Sequence, residues 1–110
     1  MHITTLQSRS DVHTVQPQCR ALVSRNAVAF AQGLLPMRRQ GLRLEIDLSE
    51  VRQMDGAGMG ALLTCGQALQ REGGRLVLTH VAAPLKAELR ACGLDSLLAW
   101  SATDHSQNGY

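Results

Sequence analysis

Leu42-Arg43-Leu44-Glu45-Ile46-Asp47-Leu48, and shortly after it Met54-Asp55-Gly56-Ala57-Gly58-Met59-Gly60-Ala61-Leu62-Leu63, decide the fold between them. In the first run apolar and charged residues alternate strictly, the period of a strand with one buried face. The second opens on three glycines at alternate positions and continues as a helix, with Met59, Leu62, Leu63, Gly66 and Leu69 on one face, ending before Gly73-Gly74. Downstream, Arg75 to Thr79 reads as a short apolar strand. Pro84 suits the first turn of another helix, with Leu85 and Leu89 on its face and Gly93 as its stop, and Leu97-Leu98 opens a last strand.

Upstream the signal is weaker. Ile3–Gln7 and Val12–Gln18 carry β-branched residues on either side of the polar turn Ser8-Arg9-Ser10-Asp11, a hairpin pattern, with Pro17 confined to an edge or a bulge. Asn26 is placed to cap a helix whose apolar face is Ala27, Phe30, Ala31, Leu34 and Leu35, and Pro36 and Gly41 bracket its end. Strands alternating with helices through short links predict an α/β fold with parallel crossovers. One domain is expected over residues 1–100, with a flexible polar tail over 101–110.

Composition narrows the function. The chain has 110 residues, room for one domain, and eleven Lys+Arg against nine Asp+Glu give a net charge of +2, too mild to argue for nucleic acid. Aromatic residues are 3% of the chain (Phe30, Trp100 and Tyr110), so no platform for stacking bases is expected. No apolar run reaches the length of a membrane span, and the N-terminus lacks the pattern of a secretory signal. Cys19, Cys65 and Cys92 are odd in number and far apart, which suits lone thiols in a reducing cytoplasm better than a disulfide framework or a metal site. Neither a cofactor nor a metal is expected.

The glycine turn carries the chemistry. Asp55 can accept hydrogen bonds from the first N–H groups of the helix and suits its positive end, and the remaining N–H groups are open to an anion or a partner's carboxylate. Gly56-Ala57-Gly58-Met59-Gly60-Ala61 fits the dinucleotide fingerprint G-x-G-x-x-G/A. That fingerprint should directly follow its strand, and Leu48 lies too far upstream. The acidic residue required about 20 positions on is also missing from Leu78-Thr79-His80-Val81. Cys65 has no visible base, His80 reads as a histidine at a strand end, and Arg38, Arg39 and Arg43 read as a solvated basic cluster.

These segments, together with Gly74-Arg75-Leu76-Val77-Leu78 and Leu89-Arg90-Ala91-Cys92-Gly93-Leu94-Asp95-Ser96-Leu97-Leu98, resemble the STAS domains of the anti-sigma factor antagonist family, from about Val12 to Leu98. The resemblance implies a mixed sheet of about 4–5 strands with helices packed mainly on one face. It also implies an interaction module rather than an enzyme. In that family the domain docks on a serine-kinase anti-sigma factor of GHKL-type ATPase fold and is released when a serine in a D-S-[ST/A]-G turn is phosphorylated. Asp55 matches the aspartate and Gly58 the glycine, and the hydroxyl positions fall on Gly56 and Ala57, neither of which can take a phosphate.

The partner-binding set implied is Asp55, Gly56, Ala57, Gly58, Met59, Gly60, Ala61 and Thr64, on a helix whose outward stripe is expected to be Ala57, Gly60, Ala61, Thr64, Gln67, Ala68 and Arg71. An alternative within the resemblance is a STAS subunit of a lipid ABC-type membrane transporter, contacting its ATPase through the same turn. A small nucleotide-binding or thiol enzyme is the third reading. A homo-oligomer stays open, because the polar tail replaces the last helix of many relatives.

Overall fold

The computed structural model describes residues 2–37, 39–94 and 99–100. The elements in chain order are β1 (Ile3–Ser8), β2 (Val12–Pro17), β3 (Ala21–Leu22), α1 (Ser24–Leu34), β4 (Arg43–Asp47), β5 (Gln53–Met54), α2 (Gly56–Arg71), β6 (Arg75–Thr79), α3 (Ala83–Ala91) and β7 (Ala99–Trp100). The expected hairpin is present: β1 and β2 pair antiparallel, with an irregularity between Thr5 and Gln7. From there the sheet turns parallel, and its strand order is β1-β2-β4-β6-β7. Pro17, last in β2, lies beyond the β2–β4 register of Val12–Val15, so its missing N–H disturbs no parallel ladder.

The alternation in β4 and its flanks has the predicted consequence. Leu42, Leu44, Ile46 and Leu48 are all fully buried, as are Leu76 and Leu78 of β6, which stand in register with Leu44 and Ile46. Phe30 and Leu34 of α1, Leu62 and Leu69 of α2, and Leu85 and Leu89 of α3 complete one core. His13 belongs to β2, in register with Leu44.

Three boundaries differ from the sequence reading. Helix α1 begins at Ser24, three residues early, because extended Val23 is its N-cap. Asn26 sits inside the first turn, where Oδ1 accepts from the Val23 N–H at 2.9 Å and Nδ2 donates to the Ala21 carbonyl at 2.9 Å. It secures the helix start from within rather than capping it. The second difference is β3 and β5, a separate parallel pair of two-residue strands, Ala21 opposite Gln53 and Leu22 opposite Met54. Two residues show no period, so neither strand was legible. Third, Arg39 and Arg43 of the expected solvated basic cluster both have bonded side chains. Arg39 donates to the carbonyls of Arg9 and Ser10 in the hairpin turn, and Arg43 pairs with Glu45 at 2.8 Å.

The C-terminal end of α2 is as read. Gly73 takes φ +76°, and the Gly74 N–H reaches back to the Leu69 carbonyl at 2.9 Å, closing the helix before β6. The final strand lies at Ala99–Trp100. Arg38, Leu97, Leu98 and the expected tail over 101–110 lie outside the described residues.

Candidate functional site

Two strand-to-helix elbows lie side by side. Strand β3 runs through Val23 into α1, and β5 runs through Asp55 into α2. The parallel β3–β5 pair sets them next to each other, and the Asp55 N–H donates to the Leu22 carbonyl at 3.3 Å. Asp55 is the N-cap of α2, in extended conformation at φ −99°, ψ −175°. Its Oδ1 accepts from the Gly58 N–H at 3.0 Å, and its Oδ2 accepts from the Ser24 N–H, also at 3.0 Å. One carboxylate therefore ties together the N-terminal ends of both helices.

Those bonds hold the Asp55 carboxyl below the usual carboxylate range, the Gly58 N–H contributing most and the Ser24 N–H next. The Ala57 N–H acts in the same direction. The expectation that Asp55 accepts from the first N–H groups of the helix is met at Gly58.

The three glycines separate into two kinds. A Cβ on Gly58 would stand 2.2 Å from the Leu22 carbonyl oxygen and 2.6 Å from Met54 Cγ, so the crossing of the elbows demands glycine. Gly56 and Gly60 are helical and exposed, and a Cβ on either would meet nothing within 4 Å. Among the described residues nothing requires them.

The predicted outward stripe of α2 is partly corrected. Gly56, Ala57, Gly60, Thr64, Gln67 and Arg71 are exposed, but Ala61, at 8%, is buried and Ala68 is half-buried. The inward face is Gly58, Ala61, Leu62, Cys65, Gly66 and Leu69, while Met59 and Leu63, expected inside, are half-buried. The face is turned toward α1, against which α2 packs. Of the expected binding set, Gly58 and Ala61 thus belong to the interior.

Open grooves flank the exposed residues. One runs between α1 and α2 past Val28, Ala31, Ala57, Gly60 and Thr64, with Val28 66% exposed. The other lies on the far side of α2, along Met59, Gly60, Leu63, Cys92 and Leu94. Gly60 lines both and forms a low ridge between two apolar channels. Leu22 and Ser24, which frame the elbow from the neighbouring strand, were missed in sequence. Their role depends on a pairing that no local pattern encodes.

A family model described as Mlab, STAS domain, matches residues 21–99. The chain belongs to the STAS domain family. A search of curated proteins finds no significant match. Among solved structures, this STAS domain superimposes on TM1081 from Thermotoga maritima, a candidate anti-sigma factor antagonist, with TM-score 0.77 and 16% identity over 93% of this chain and 90% of that one. An anti-sigma factor antagonist from Mycobacterium paratuberculosis matches with TM-score 0.72 and 23% identity, over 90% and 85% of the two chains. The murine anion transporter Slc26a9 matches with TM-score 0.69 and 21% identity, over 86% of this chain and 17% of the transporter. These likenesses confirm the expected fold, a mixed sheet with packed helices.

Other candidates fall away on geometry. Burial pushes the Cys65 thiol up to about 11, so at neutral pH it carries no thiolate for nucleophilic chemistry. His80, at φ +56°, follows β6 and lies 3.2 Å from Thr79 Oγ1 and 3.5 Å from Asp47 Oδ2, a strand-end histidine as read. The dinucleotide reading does gain the strand it lacked, since β5 directly precedes the glycine turn. However, Gly58 is spent on the Leu22 carbonyl rather than on a ligand. No described helix is long and apolar enough to cross a membrane.

Proposed function

We propose that this STAS domain is a protein-docking module of the anti-sigma factor antagonist type and not an enzyme, acting in the cytoplasm in a partner-switching pathway of transcription regulation. It docks on a serine-kinase anti-sigma factor of GHKL-type ATPase fold through Asp55, Gly56, Ala57, Gly60 and Thr64, with Met59 at the edge. The observation that carries this reading is the pair Gly56 and Gly60. A glycine inside a helix costs about 0.5–1 kcal/mol relative to alanine. Among the described residues nothing offsets that cost at Gly60, inside α2, whereas a partner lying close against the helix does; Gly56, the first helical residue, leaves the same face bare. The apolar grooves on either side of Gly60 support the same reading, because a low ridge between channels lets a partner bury side chains without displacing long ones. Gly56 and Ala57 carry no hydroxyl, so release cannot be driven by phosphate on that turn.

A second reading keeps the elbow and changes the partner to the ATPase of a lipid ABC-type transporter. It draws on the Mlab description of the matching family model and on the likeness to part of Slc26a9. Affinity capture of the tagged full chain from its native cells tests both. A GHKL-type kinase retained by wild type and lost with Gly60→Arg supports the first, and a transporter ATPase lost in the same way supports the second. Identical capture by both chains rejects docking at this elbow.

A further inference from the structure

The apolar groove between α1 and α2 does not end at Thr64. Leu35 and Thr64 also line a second open stretch, which continues past Gln67 to Arg71 and Glu72. Arg71 and Glu72 in turn line a third, a polar cleft shared with Arg39, Gln40 and Gly41. One open channel therefore follows α2 from the elbow to its far end. The span from Ala57 to Arg71 is about 21 Å at the helical rise of about 1.5 Å per residue.

The walls change chemistry along the way. Beside Gly60 they are Val28, Ala31 and Ala61, without a charge. At the far end they carry two guanidinium groups. Arg39 is tethered, Nε to the Ser10 carbonyl and Nη2 to the Arg9 carbonyl, which leaves Nη1 unbonded among the described residues. Arg71 is exposed, and none of the described residues bonds to its side chain. Glu72, half-buried on the same wall, already has a partner. Both helices satisfy their own backbone, so an extended strand laid here would find no ladder to join, whereas a third helix packs into the seam between two. The exposed residues of α2 along the channel, Ala57, Gly60, Thr64, Gln67 and Arg71, recur at alternating steps of three and four, the spacing at which one helix meets another.

We propose that the channel seats an amphipathic helix of the docking partner, its apolar face over Ala31 and Gly60 and an acidic end over Arg39 and Arg71. This rests on the docking reading above and adds to it which kind of segment enters and in which direction. The two arginines carry the directional part. An aspartate or glutamate set against them gains charge-assisted hydrogen bonds, and Arg39, already held by two carbonyls, loses little freedom in making one. Ionised Asp55 marks the opposite end of the same helix. A helix seated the other way round would bring its acids toward that carboxylate and leave the guanidinium groups against apolar side chains, which disfavours it.

The probe is the purified ATPase partner captured by the wild-type chain, with its association rate measured at low and at high salt. Arg71→Glu should slow association about tenfold or more and remove most of the salt dependence that wild type shows, while the melting temperature stays near wild type because Arg71 is exposed. Arg71→Gln should fall between the two. A photo-cross-linking benzoylphenylalanine in place of Gln67 then maps the seated segment by mass spectrometry. The expected cross-link lies on a partner helix with Asp or Glu toward one end, and exchanging that acid for lysine should restore association with Arg71→Glu. No cross-link from position 67, a cross-link to a segment without acids, or Arg71→Glu associating as wild type does overturns the proposal, while docking stands if Gly60→Arg still abolishes capture. If Gly60→Arg captures the same partners as wild type, docking and this proposal fall together.

Discussion

A methyl group at position 58 would overlap the Leu22 carbonyl, whereas one at position 60 would point into open space. Two glycines two positions apart on α2 therefore predict opposite outcomes. Gly58→Ala should destabilise the chain by about 1–3 kcal/mol, the usual cost of overpacking, because the obstacle is backbone and cannot rotate away. Gly60→Ala should stabilise it by about 0.5–1 kcal/mol. Urea denaturation of the two variants checks both signs. Asp55 makes a third prediction. Its folded-state pKa is depressed by the Gly58 and Ser24 N–H groups, so the folded chain binds fewer protons there than the unfolded one. Its stabilisation is complete above the unfolded carboxylate value of about 3.9 and is lost as pH falls from there through the lower folded value. Asp55→Asn should lower stability near neutral pH and flatten the loss of stability on acidification. An unchanged acid limb in urea titrations below pH 5 would speak against this role.

The elements show what the sequence carried and what it did not. Strand β4, the parallel crossovers and helices α1, α2 and α3 were legible because each buries a full face, and a buried face repeats at a period long enough to read. Strands β3 and β5 were not, since a two-residue strand has no period and its partner is thirty-two positions away in Ala21 opposite Gln53. The orientation of α2 was only half legible. Apolarity placed Met59 and Leu63 inside, but the small residues Gly58, Ala61 and Cys65 take buried positions, Gly58 against Leu22 and Met54 and Ala61 beside α1. The glycine turn stood out as a site, whereas the Ser24 N–H that holds Asp55 could be found only once the strand pairing was known. Ala61→Glu accordingly no longer tests a surface. It places a carboxylate in the α1–α2 seam and should cost about 1–3 kcal/mol by thermal or urea melts. Asn26→Ala, which frees the Val23 N–H and the Ala21 carbonyl, should cost about 1 kcal/mol.

At the scale of the whole molecule, one core under a mixed sheet positions two helix starts side by side, and Asp55 locks them together. The result is a tied elbow whose glycines at 56 and 60 are crowded by none of the described residues, flanked by apolar channels. A rigid face of this kind loses little conformational freedom on binding. Gly60→Arg fills the ridge while leaving the core alone, and arginine is the better helix former, so the isolated chain should melt no earlier than wild type. Isothermal titration of the captured ATPase partner with wild type and Gly60→Arg is the most direct measurement. Binding weakened about a hundredfold or more, equal to about 2.7 kcal/mol, with an undiminished melting temperature is the expected result. Equal dissociation constants for the two chains would contradict docking through this elbow.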